Sequence, residues 1–308
     1  MTLNQFFRIV EMRTKIISIS TFSTAVLYTL FRTGYFNLLR FLLMAAAVLL
    51  VDMGTTAFNI YYDYRRGVDR ADFEKEREKV LVYEGVPPGA ALLTALALFA
   101  GAALFGLIIG LLTGLQVILA GALSMAVGYF YTGGPYPISR TPVGELFAGG
   151  FLGTVLFLIT WFVMAGYLPD YPELPVEAVL ASLPSLFLIA SILTVNNTCD
   201  IEGDRIAGRR TFSILFGKKA GETLVFVLGF LGYGTAFVLG LPGVEVFPAL
   251  SPIMVAAASV PAVLEYRSLH RRGYSQATKG PSMGSISKIF ILYTLAMWLS
   301  LGTGIFIY

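Results

Sequence analysis

Nine apolar runs recur along this chain, at 16–31, 41–60, 90–111, 116–131, 146–166, 178–196, 222–240, 249–265 and 287–307. Roughly 20 residues suffice for an α-helix to cross a hydrocarbon core, so the pattern predicts an all-α, multi-pass transmembrane helical bundle of about nine helices. Composition agrees with this: 56% of the 308 residues are hydrophobic and only 13% are charged, which excludes an ordinary soluble domain. No linker or low-complexity tract divides the chain, so it reads as a single domain over 1–308, with the first run kept as a helix rather than cleaved as a signal.

Short loops rich in Lys and Arg stay on the cytoplasmic side. With the N terminus inside, every Lys and Arg of the 22 except Arg32 and Arg40 falls in an inner segment. The outer connections GYLPDYPELPVEA and LPGVEVF hold acids and prolines but no basic residue. The reading is therefore a cell-membrane protein with a cytoplasmic N terminus and an extracytoplasmic C terminus. Its net charge of +3 follows from this asymmetry and gives no reason to expect a nucleic-acid partner. Cys199, the single cysteine, has no partner for an internal disulfide.

Two polar motifs repeat at a fixed offset. Asn59, Asp63 and Asp69 lie in NIYYDYRRGVD, and Asn196, Asp200 and Asp204 lie in NNTCDIEGD; Asn59 and Asn196 are 137 positions apart, as are Asp63 and Asp200. On a helix, residues four apart share a face, so Asn59 points with Asp63 and Asn196 with Asp200, and Asp204 extends the second row by a turn. The predicted topology puts both rows at the cytoplasmic ends of helices. There the inner loops, at about 63–88, 132–145, 200–221 and 266–286, form a polar cap over an apolar tunnel. A structural alternative for each acid is a snorkelling or helix-capping carboxylate, but the repeat with its accompanying Asn favours a site.

Clustered carboxylates repel one another unless a cation sits between them. Mg²⁺ suits the position, since it prefers oxygen ligands and is commonly held by one or two carboxylates together with substrate phosphates and water. The flanking Arg65, Arg66, Lys79, Arg140, Arg205, Arg209 and Arg210 suit a diphosphate, which demands more positive charge than the metal supplies. Each of them also has the plainer role of a topology signal.

NIYYDYRRGVD together with NNTCDIEGDRIAGRRTFSILFG resembles the UbiA superfamily of intramembrane aromatic prenyltransferases. The similarity spans nearly the whole chain. It is strongest to the 1,4-dihydroxy-2-naphthoate prenyltransferases of menaquinone synthesis, through Gly67 with Asp69, the string NNxxDxxxDxxxGxxT from Asn196 to Thr211, and YTGGPYPI from Tyr131 to Ile138. The resemblance implies that Asn59, Asp63, Asp69, Asp200 and Asp204 hold Mg²⁺ against the diphosphate of a polyprenyl donor, with Asn196 and Asn197 in support. It also implies an aromatic acceptor near Tyr131 and Tyr136, whose ring faces can stabilise an allylic cation. Glu145, heading the following helix, either caps it or orients a loop.

The chain departs from its relatives at Ile60, where many have Asp, at Cys199, where the naphthoate branch usually has Arg, and at Lys79, where Arg is common. These differences keep other acceptors open: 4-hydroxybenzoate, a glycerol-phosphate lipid, a tetrapyrrole or another phenol. GGPYPISR lacks the Lys-Arg pair typical of the hydroxybenzoate branch. A cation transporter is a reading of a different class, since repeated halves with intramembrane acids also occur there. Acids at helix ends, beside dense Arg and Lys, argue against it. His270, the only histidine, sits in a basic loop and reads as a surface residue.

Overall fold

The computed structural model describes residues 1–68, 80–165 and 175–307, and among them every regular element is helical. The chain opens with α1 (Leu3–Ile9) and a 3₁₀ turn at Met12–Lys15, followed by α2 (Ile16–Thr33), α3 (Leu38–Arg65) and the short α4 (Val80–Tyr83). Next come α5 (Pro88–Thr113), α6 (Leu115–Thr132), a 3₁₀ turn at Ile138–Arg140, and α7 (Gly144–Gly149), which runs through a π segment at Gly150–Val155 into α8 (Leu156–Ala165). The second half holds α9 (Val176–Cys199), α10 (Ile201–Ile206), α11 (Phe212–Phe216), α12 (Lys218–Val238), α13 (Ser251–Arg272) and α14 (Lys279–Ile307).

Eight helical stretches among the described residues are long and apolar enough to cross a membrane. The expected ninth run, 249–265, forms as α13 but is not one of the eight. Its last turns carry Glu265, Arg267, His270, Arg271 and Arg272, and it contains Pro252 and Pro261, so its apolar stretch is diluted. The protein is thus an all-α, multi-pass membrane protein with about eight apolar spanning helices.

Helix ends follow local chemistry. Asn37 caps α3, its Oδ1 accepting from the Arg40 amide at 3.0 Å, and Pro88 starts α5, where a missing N–H is harmless. Gly114, at φ +125°, is the one residue between α5 and α6, a conformation that L side chains rarely adopt. It turns the chain back at once and makes α5 and α6 a tight hairpin. At about 1.5 Å per residue the 28-residue α3 is about 42 Å long, more than a core of about 30 Å requires. Its last turns, with Asn59 and Asp63, therefore reach beyond the core.

α9 is the central helix, packed by α7, the π segment, α8, α12 and α14. Its buried face joins a core containing Tyr28, Phe157, Trp161, Phe290 and Tyr293. The approach of the π segment is closest at Gly153, where a Cβ would fall 2.5 Å from the Leu186 amide nitrogen and 2.6 Å from its Cα. Backbone cannot yield as a flexible side chain can, so Gly153→Ala is expected to lower stability by about 1 to 3 kcal/mol. A lower midpoint of thermal unfolding in detergent checks it, with Gly150→Ala, which meets nothing within 4 Å, as the control.

Candidate active site

A cavity of about 1690 Å³ runs between the helices, and its wall includes Asn59, Asp63, Tyr131, Asn196, Asn197, Asp200, Asp204 and Arg209. The 137-residue repeat thus converges in space. Asn59 and Asp63 lie on the last turns of α3, as the four-residue spacing predicts, and Asn59 Oδ1 accepts from the Thr132 hydroxyl at 2.6 Å, which ties it to the end of α6.

The second motif departs from expectation. α9 stops at Cys199, and Asp200, at φ −100° and ψ 12°, is the joint between α9 and α10. The Asp200 amide still donates to Asn196 O (3.1 Å), and the Asp204 amide to Asp200 O (2.9 Å). The i, i+4 spacing therefore survives across a bend rather than along one straight helix. The bend carries Asp204 inward, and it ends buried.

Arg209 joins the two motifs. Its guanidinium donates to Asp63 Oδ1, 146 positions away in sequence, at 3.0 Å and to Asp204 Oδ1 at 3.1 Å. Burial pulls this guanidinium down, but Asp63 and Asp204 push it up by more, so it is fixed as a cation. For Asp204 burial dominates and raises the carboxyl to about 6, against the opposing pull of Arg209. Its Oδ2 is buried without a hydrogen-bond partner among the described residues.

Lys279, at the head of α14, makes the second bridge, its Nζ lying 2.7 Å from Asp200 Oδ2. Sequence reasoning treated Lys279 as a topology signal only. Its isolation in TKGPSMGS, at the start of an apolar helix, was the available clue.

Other expected site residues hold the loops around this centre. Arg66 donates to the carbonyls of Thr132 and Gly134 and lies over the Tyr62 ring at 5.1 Å, pinning the loop after α6. Arg140 donates to the Ala207 carbonyl, and its own carbonyl accepts from the Arg210 amide at 2.8 Å. Burial, reinforced by Arg66 and Arg209 nearby, lowers the Arg140 guanidinium. Arg205 and Arg210 are exposed, and Tyr136 is 89% exposed; none of the three lines the cavity. Asp69 and Lys79 lie outside the described residues.

Glu145, whose role the sequence leaves open, and Asp52, which no motif marks, make two further contacts. Glu145 is buried and accepts from Asn197 Nδ2 at 2.8 Å, so it orients an amide of the cavity wall from the first turn of α7. Asp52, two turns below Asn59 on α3, pairs with buried Lys15 at 2.6 Å.

Whether these residues suit Mg²⁺ is decided by their donor set. No group of three or more His, Cys, Asp or Glu that could hold a metal by itself occurs among the described residues. Mg²⁺ makes no such demand, since it is usually held by one or two carboxylates with phosphates and water. Asp63 and Asp200 face the cavity, and Asp204 offers an oxygen that no described residue satisfies. The set fits a Mg²⁺ site that a diphosphate completes.

The sequence model of the UbiA prenyltransferase family matches residues 20–289. The 1,4-dihydroxy-2-naphthoate octaprenyltransferase of Bacillus subtilis (strain 168) is 36% identical over 226 residues, 73% of this chain and 69% of that protein. The UbiA prenyltransferase domain-containing protein 1 of Xenopus tropicalis is 31% identical over 202 residues, 65% of this chain and 56% of that one. Among solved structures, a UbiA homolog from Archaeoglobus fulgidus bound to GPP and Mg²⁺ superposes with a TM-score of 0.65 at 17% identity, covering 97% of this chain and 99% of the other. A digeranylgeranylglyceryl phosphate synthase gives the same TM-score and identity, over 97% and 98% of the two chains. At that identity the two solved proteins show a shared fold.

Proposed function

The chain belongs to the UbiA prenyltransferase family, and from that premise we propose that the cavity mouth binds an allylic polyprenyl diphosphate with Mg²⁺ and prenylates 1,4-dihydroxy-2-naphthoate. The protein is an integral-membrane prenyltransferase that transfers a polyprenyl group to an aromatic acceptor. The observation that carries the site is the meeting of Asp63, Asp200 and Asp204 with two cations, Arg209 and Lys279, on the wall of one cavity. The naphthoate is favoured by the Bacillus relative, 36% identical, and by the absence of Lys from GGPYPISR.

In this reading Asp63, Asp200 and Asp204 hold the metal, with Asn59 beside them and Asn196 and Asn197 in support. Asp69, from the first motif, and the flanking Lys79 complete the proposed set, Asp69 on the metal and Lys79 on the diphosphate. Bound Mg²⁺ neutralises charge that builds on the departing diphosphate. Arg209 and Lys279 add fixed positive charge at the same place, an electrostatic contribution that grows where water is scarce. The bond between the isoprenoid C1 and the diphosphate oxygen breaks, its electron pair leaving with the diphosphate. An acceptor ring carbon then bonds to C1, and a proton is released.

Tyr131 lines this part of the cavity and presents a ring to the forming cation. Arg66 and Arg140 act by holding the surrounding loops, and Arg205, Arg210 and Tyr136, exposed and off the cavity wall, remain proposed substrate contacts on the strength of the motifs alone. The wall between α5 and α6, with Ala102, Gly106, Val117 and Gly121, is the apolar surface along which the prenyl chain lies. The polar cap faces the cytoplasm, α13 is the ninth crossing, and residues 1–308 form one domain whose C terminus is extracytoplasmic.

Purified protein in detergent or vesicles, given Mg²⁺, a labelled polyprenyl diphosphate and a panel of aromatic acceptors, is expected to form a prenylated naphthoate, identified by mass. Chelation with EDTA is expected to abolish turnover, and added Mg²⁺ to restore it. Turnover undiminished by chelation would remove the metal, and a product on another acceptor would replace the naphthoate.

A further inference from the structure

Below the diphosphate site α3 carries a second acid that the mechanism above does not use. Asp52 precedes Asn59 by seven residues and Asp63 by eleven, about 10 Å and 16 Å along the axis. Its Oδ1 accepts from Lys15 Nζ at 2.6 Å, and its Oδ2 accepts from the Ser18 hydroxyl at 2.5 Å. Lys15 also donates to Thr56 Oγ1 at 2.7 Å and is 1% exposed. Asp52, Ser18 and Thr56 all line the cavity.

An ionic pair at this depth is an expensive way to join two helices. A buried pair seldom improves on well-packed apolar residues, and ionisable groups within spanning helices face cavities and mark substrate sites. The Asp52 carboxylate offers about four lone-pair positions, of which Lys15 and Ser18 take two. The side chain is 15% exposed, and α3 presents Asp52, Thr55 and Thr56 to the cavity. The Lys15 ammonium compensates its charge, leaving a charged acceptor of hydrogen bonds on the cavity wall beside the hydroxyls of Ser18, Thr55 and Thr56. Such a group favours a ligand that is flat and apolar but ends in a hydroxyl. The prenyl chain has no use for it.

We propose that Asp52, supported by Lys15, Ser18 and Thr56, is a recognition subsite for a hydroxyl group of the aromatic acceptor. This rests on the reading of the protein as an aromatic prenyltransferase. Asp52 selects the acceptor by accepting its O–H, while the reacting carbon lies nearer the diphosphate.

The test is steady-state kinetics of Asp52→Asn and of the double variant Lys15→Met with Asp52→Asn, on the aromatic acceptor that the wild type turns over fastest. In Asp52→Asn the acceptor KM is expected to rise about 10- to 100-fold, as for loss of a hydrogen bond to a charged group, while the KM for the polyprenyl diphosphate stays within about twofold. An acceptor analogue with that hydroxyl methylated is expected to be as poor a substrate for the wild type as for Asp52→Asn. The double variant restores a neutral, packed pair. A raised acceptor KM in it supports the subsite, whereas recovery of the wild-type KM would reduce the pair to a strut between α2 and α3. An unchanged acceptor KM in Asp52→Asn overturns this assignment alone. Failure of the wild type on every aromatic acceptor overturns it together with the reading on which it rests.

Discussion

Asp200→Ala is expected to lower turnover by on the order of 10³-fold while the helices remain assembled. Asp200 stands at the joint of α9 and α10, where its backbone, not its side chain, carries the chain through the bend. The side chain is partly exposed to the cavity and bonded to Lys279, so its loss removes a charge from the site without opening a void in the core. Far-ultraviolet circular dichroism and the unfolding midpoint should stay near wild-type values while kcat falls. Asp63→Ala, on the other motif, is expected to behave alike, with a raised requirement for Mg²⁺ in both. Full activity in either variant would detach that motif from the chemistry.

Arg209 should show the second largest effect, and a different signature. Among the described residues it is the one side chain that bridges both motifs, and only 10% of it is exposed. Arg209→Met leaves Asp63 and Asp204 near each other without their shared cation, which is expected to cost on the order of 3 kcal/mol of stability in the absence of ligands. Addition of Mg²⁺ should return part of the lost unfolding midpoint, because the metal replaces the missing positive charge. Turnover is expected to fall about 10²- to 10³-fold even at saturating Mg²⁺, since a fixed charge facing the diphosphate is gone. Arg209→Lys should recover little, because an ammonium lacks the planar fork that reaches two carboxylates at once. A variant with normal kcat but low stability would make Arg209 a structural brace only.

Much of the site was legible because its spacing is helical. Asn59 and Asp63 share a face of α3 for the reason that any i, i+4 pair does, and a 137-residue offset marks their counterparts in the second half. For Asp204 the spacing assumes one straight helix. A straight helix would have set it one turn beyond Asp200, whereas the bend at Asp200 turns it into the interior. Lys279, Lys15 and Asp52 went unseen for another reason. Each is a single charged residue whose partner is distant in sequence, 79 positions from Lys279 to Asp200 and 37 from Lys15 to Asp52, and no local pattern distinguishes such a residue from a topology signal.

The basic residues show the same division. Arg66, Arg140, Arg205, Arg209 and Arg210 are equivalent as sequence, all cations near acids. In the folded protein one of them joins carboxylates, two hold loop carbonyls, and two stand exposed.

By itself the sequence determined that this protein is a bundle of membrane-spanning helices with paired acid motifs at helix ends. Hydropathy and periodicity act within about 20 neighbouring residues, and those properties depend on nothing farther away. Only the tertiary structure decided which cation faces which acid, that α9 bends at Asp200, and that Asp52 opens to the cavity instead of to lipid. These depend on how closely helices approach, as at Gly153 and Leu186, and a charge buried in a membrane takes whatever partner that packing brings within reach.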